Sequence, residues 1–129
     1  MKNLLTSLKI PISFVRDRRL AYLEGKFGIK VLRTFCGLLV EVLNNPNEPT
    51  MIKEELTVAF ECSLIDGLDP LEKYTEEALE IFNYLVDSGL IIDAKEFGFQ
   101  GYVFEIVASA IRKHNRASIQ NTKNASKTS

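Results

Sequence analysis

The apolar residues of this chain repeat at one period as far as Gly89 and at another beyond it. From Ile29 to Leu43 the set Ile29, Leu32, Phe35, Cys36, Leu39 and Val42 follows the i, i+3, i+4, i+7 spacing of one helix face, and Lys30, Arg33 and Glu41 fall largely off that stripe. The segment LEKYTEEALEIFNYLVDSG, residues 71 to 89, behaves alike. Tyr74, Ala78, Leu79, Phe82, Leu85 and Val86 share one side, Glu76, Glu77, Glu80, Asn83 and Asp87 the other, and Gly89 can take the left-handed conformation that closes a helix. After Gly89 come LIID and YVFEI, two β-rich runs parted by AKEFGFQG, whose two glycines and charges suit a hairpin tip. Strong amphipathic helices followed by two short strands restrict the fold to a mainly α domain carrying a small antiparallel β wing.

The remaining segments fit around that frame. LKIPISF alternates apolar side chains about Pro11 and reads as an extended lead-in. Asp17 to Glu24 suits a short helix with Leu20 and Leu23 as its apolar positions, ended by Gly25, with Gly28 restarting the chain. NNPNEP and IDGLDP are turn chemistry, a short extended TMI could add a strand, and residues 52 to 64 place Leu56, Ala59, Phe60 and Leu64 at helical spacing. ASAIRKHNR suits a closing helix, whereas QNTKNASKTS lacks the apolar surface to offset the entropy of ordering. A chain of 129 residues supports one core, so the expectation is a single domain over residues 1–116 and a flexible polar tail over 117–129.

The net charge of −1 conceals segregated blocks: +6 over residues 1–40, −11 over 41–96 and +4 from 97 onward. A basic start and a basic end bracket an acidic middle, which creates opposed surfaces if the fold joins the two ends. The longest apolar stretch, VLRTFCGLLVEVL, is interrupted by Arg33 and Glu41 and is far shorter than the roughly 20 residues of a membrane span. MKNLLTSLKIP has no sustained apolar run or small-residue cleavage site, and Cys36 and Cys62 lack metal-type spacing. These features favour a reducing cytoplasm and no membrane partner; a disulfide joining the two cysteines is not excluded by counting.

Helix, helix, short strand, helix, acidic helix and terminal hairpin is the order of a winged helix-turn-helix domain. The combination of IPISFVRDRRLAYLEGKFGIKVLRTFCGLLVEVL, IFNYLVDSGLIID and YVFEIVASAIRKHNR resembles the N-terminal winged-helix domain of phage replisome organisers and DnaD-like replication proteins. Asp17, Gly28, the run from Ile29 to Leu43, Gly89 with Leu90, and Ser109 with Ile111 occupy the places of that family's pattern, while Ile91 stands where the pattern has phenylalanine. The resemblance implies a role in phage or mobile-element DNA replication or its control, with self-association or a replication-protein partner; the lead-in LLTSLKIPISF would suit such a contact, or simple core cover. Larger members carry a further C-terminal domain for assembly or single-stranded DNA, for which this chain has no room.

Candidate binding residues follow from cation density. Arg16, Arg18, Arg19, Lys26, Lys30 and Arg33, with Arg112, Lys113 and Arg116 beyond the wing, could grip DNA phosphates with low sequence specificity. The same arginines equally suit the solvated face of a helix opened by Asp17. The Gly-x-x-Gly step of Gly25 and Gly28 also occurs in KH domains, whose alternation of strands and helices is missing here. The expected recognition helix is acidic: Glu72, Glu76, Glu77 and Glu80 face phosphate with only Lys73 to offset them, so docking through it is disfavoured. That block supports an alternative, a protein-interaction module without DNA affinity. His114 is the lone histidine and sits among cations, Asp66 and Asp69 lack a calcium-loop ligand set, and phosphate-loop and dinucleotide motifs are missing. A non-enzymatic protein without metal, cofactor or small-molecule substrate is the expectation.

Overall fold

The computed structural model describes residues 14, 16–45, 49–65 and 70–113. The predicted extended lead-in, apart from Phe14, the polar tail, and the loop acids Asp66 and Asp69 lie outside these residues. Helix α1 spans Arg18–Phe27 and α2 spans Ile29–Asn44, with Gly28 alone between them. Helix α3 spans Lys53–Leu64 and α4 spans Leu71–Asp87. The hairpin strands are β1, Ile91–Asp93, and β2, Tyr102–Phe104; helix α5, residues 105–113, follows β2 directly. The predicted mainly helical fold with a small antiparallel wing is what the chain adopts.

Helix α1 begins as the sequence indicates and ends later. The Asp17 carboxylate accepts a hydrogen bond from the Arg19 amide at 2.8 Å, capping the first turn. Gly25, expected to end the helix, lies inside it; Gly28, at φ 102°, is the terminator, and its amide donates to the Glu24 carbonyl at 2.8 Å. Glycine inside a helix costs about 1 kcal/mol relative to alanine. The extra turn offsets that by bringing Phe27 against the core and its ring to 6.4 Å from that of Tyr84.

Helix α2 buries Val31, Phe35, Leu38, Leu39 and Val42. Ile29 and Cys36, counted in the predicted stripe, are exposed. Apolar residues run almost all round this helix, so its own periodicity could not select the inward side; its neighbours do. Phe35 meets Phe104 of β2 edge-on at 5.1 Å, and Phe82 of α4 meets Tyr102 in the same manner at 5.1 Å. Helices α3 and α4 pack together most extensively, through Leu56, Phe60, Ala78 and Ile81 among others. Ile81, outside the predicted stripe, is fully buried, whereas Leu79 and Val86 are partly exposed at 38% and 37%.

The wing forms as expected, with Ile91 opposite Phe104, Ile92 opposite Val103 and Asp93 opposite Tyr102. Its tip is a 3-10 turn, Ala94–Phe97, capped by Asp93 and closed by Gly98. The predicted strand YVFEI is shorter than expected: Glu105 and Ile106 already belong to α5. The extended TMI segment does add to the sheet, because Met51 exchanges both backbone hydrogen bonds with Tyr102, at 2.9 and 2.8 Å. Gly101 permits that approach. A Cβ there would lie 2.6 Å from the Met51 carbonyl oxygen, on a backbone at φ 87°. The order α2, bridging residue, α3, α4, β1, wing, β2 is the element order of a winged helix.

Candidate nucleic-acid interface

The nine cations singled out by sequence have different fates. Arg19 is committed to the fold: its guanidinium donates to both Asp17 carboxylate oxygens, at 3.0, 3.2 and 2.7 Å. It also reaches Glu105 at 3.3 Å and donates to the Ser88 carbonyl at 3.3 Å, thereby fastening α1 to the end of α4 and the start of α5. The Arg19 hydrogen bonds hold the Asp17 carboxyl below its ordinary range, and Asp17 raises Arg19 in return. Lys26 pairs with Glu80 at 3.2 Å, which raises its pKa, and Arg112 binds Glu96 of the wing tip at 2.7 and 3.0 Å. Glu96 is lowered and Arg112 raised by that contact.

Arg16, Arg18, Lys30, Arg33 and Lys113 are exposed and enter none of the ion pairs found among the described residues. Arg116 and His114 fall outside the described residues. Arg16 occupies the turn before α1, Arg18 opens α1, and Lys30 and Arg33 lie in the first half of α2. The first turn of α2 contains no acid and no side-chain cap, so its amide dipoles add to the positive potential there. Helix α4, by contrast, exposes Glu72, Glu76 and Glu80. Basic ends and acidic middle therefore pair at Lys26 with Glu80 and Arg112 with Glu96, Arg19 ties the two basic ends together through Glu105, and one stretch across α1 and α2 keeps unpaired cations.

Sequence reasoning passed over Tyr22. It is 50% exposed, and its ring lies against that of Tyr84 with centroids 4.8 Å apart and planes 32° apart. The Tyr84 hydroxyl donates to the Arg19 carbonyl at 2.7 Å. Burial and nearby negative groups raise the Tyr84 pKa. The signal available in the sequence was spacing: Arg18, Tyr22 and Lys26 recur at four-residue steps, which aligns them on one helix face.

A second surface feature is an open groove of about 480 Å³ between α2 and α3, lined by Leu38, Met51, Val58 and Ala59 and bordered by Glu41, Glu54 and Glu55. Cys36 and Cys62 are both free, so the disulfide left open by counting does not join them, and both residues are exposed. The Cys36 residue is exposed as a whole, yet partial burial of its sulfur raises the thiol pKa. Among the described residues no three metal-binding side chains cluster, and no helix is long and apolar enough to cross a membrane. A scan against protein-family models, a search of curated proteins and a search of solved structures each found no match.

Proposed function

We propose that this chain is a cytoplasmic winged-helix protein that binds DNA through the α1–α2 surface and acts in phage or mobile-element DNA replication or its control. The observation that carries this reading is that Arg16, Arg18, Lys30 and Arg33, at the start of α1 and in the first half of α2, are exposed and without acidic partners among the described residues, whereas α4 exposes carboxylates that phosphate would repel. The replication role rests on the resemblance to replisome organisers and on the winged-helix element order, and DNA contact on the charge placement. Binding of this kind grips the sugar-phosphate backbone and positions the protein without reading sequence. Fluorescence anisotropy with a duplex oligonucleotide at low salt tests it: the native chain binds, and Arg18→Glu/Arg33→Glu binds at least about tenfold more weakly. No binding by the native chain even at low salt overturns the reading.

The groove between α2 and α3 supports a second reading, a protein-interaction module. Its apolar floor and three carboxylates suit a partner segment that is both aliphatic and basic. This reading stands alone if DNA does not bind.

A further inference from the structure

We propose that Tyr22 is a stacking platform for an unpaired base, so that the ligand of the α1–α2 surface includes single-stranded DNA; this rests on the DNA-binding reading above. An exposed tyrosine can simply shield the residue beneath it, and Tyr22 does cover part of Tyr84. Its setting does more than that. One side of the ring is backed by Tyr84, which is itself pinned by its 2.7 Å hydrogen bond to the Arg19 carbonyl. Little side-chain freedom is left to lose when a base arrives on the other side.

Tyr22 is half exposed, and the group over its ring is the ammonium of exposed Lys26, on a flexible side chain that an arriving base displaces. Gly25 lies one turn on from Tyr22, and a Cβ added there would meet nothing within 4 Å. Arg18, one turn before Tyr22, is exposed and placed to meet the phosphate flanking a stacked base. Glu80, the acid brought nearest by Lys26, is offset by that 3.2 Å pair, and Lys26 in turn lies 5.8 Å from the Tyr22 ring centroid. Glu24 sits two residues beyond Tyr22, hence on the opposite side of the helix. A positive groove bordered by an aromatic face is the combination that holds single strands. In a duplex the base faces are already stacked on each other, so the platform discriminates by strandedness instead of sequence.

The chain contains no tryptophan, so Tyr22→Trp in the full-length protein introduces a sole indole reporter at the platform. With far-UV circular dichroism confirming the fold, titration with oligo-dT quenches that indole to saturation, with the same midpoint as anisotropy. An equal-length duplex binds without comparable quenching. Tyr22→Ala weakens oligo-dT binding by about 5- to 150-fold, as loss of one stacked base should, whereas duplex affinity changes by less than about twofold. Tyr22→Phe retains oligo-dT affinity. If saturating oligo-dT leaves the indole unquenched, or Tyr22→Ala binds it as tightly as the native chain, while duplex still binds, the platform is disproved and the DNA-binding reading survives. If neither DNA form binds at low salt, both fall together.

Discussion

Arg19 looks in sequence like one of three interchangeable arginines, and its contacts separate it from the other two. It holds Asp17, Glu105 and the Ser88 carbonyl at once, with its side chain about one-third exposed. Substituting Arg19→Met is expected to lower stability by about 1.5 to 3 kcal/mol, read from urea unfolding, since hydrogen bonds to charged groups are lost on both sides. DNA affinity should be unaltered after correction for folded fraction. The pair also sets an acid limit. Asp17 ionises below its ordinary value of 3.8 in the folded chain, so its contribution is complete at neutral pH. It is lost as pH falls below 3.8 through the lower folded pKa, and Asp17→Asn should flatten that part of a stability-versus-pH curve. Asp17 as a cap was legible in the sequence because a cap is a local device. The other partners of Arg19 were not, since Ser88 and Glu105 lie 69 and 86 positions away and only packing brings them close.

Among the secondary-structure elements, the glycines between α1 and α2 distinguish the predicted boundary from the observed one. Gly25 is helical with open space around it, so Gly25→Ala should raise stability by about 0.5 to 1 kcal/mol. Gly28 has φ 102° and ψ 166°, a region essentially reserved for glycine, so Gly28→Ala should lower stability by about 1 to 3 kcal/mol. Thermal unfolding of the two variants settles which residue ends the helix; if Gly25→Ala were the destabilising one, the earlier boundary would be right. Gly101→Ala is expected to be at least as harmful, since it adds a backbone clash with Met51 to the strain of a positive φ. The helices and hairpin were legible because their periods differ. The inward side of α2 was not, because Ile29 with Cys36 and Val31 with Leu38 offer rival apolar lines seven residues apart. Contact with α1 and the sheet decides between them.

At the scale of the molecule, the three charge blocks read from sequence do not become two clean hemispheres. Folding joins basic to acidic segments at Lys26 with Glu80 and Arg112 with Glu96, and ties the two basic segments to each other at Arg19 with Glu105. Counting residues could show the asymmetry but not which cations it left over, because each pairing links distant parts of the chain. The account now rests on the remainder: Arg16, Arg18, Lys30 and Arg33, with Tyr22 beside them and Glu80 of α4 taken up by Lys26. The most direct test is a ¹H–¹⁵N NMR titration of the full chain with an oligonucleotide at low salt. Amide shifts are expected to concentrate between Arg16 and Arg33 while Glu72 to Glu77 stay still. Shifts centred on α4, as in conventional major-groove docking, or none at all, would contradict the account.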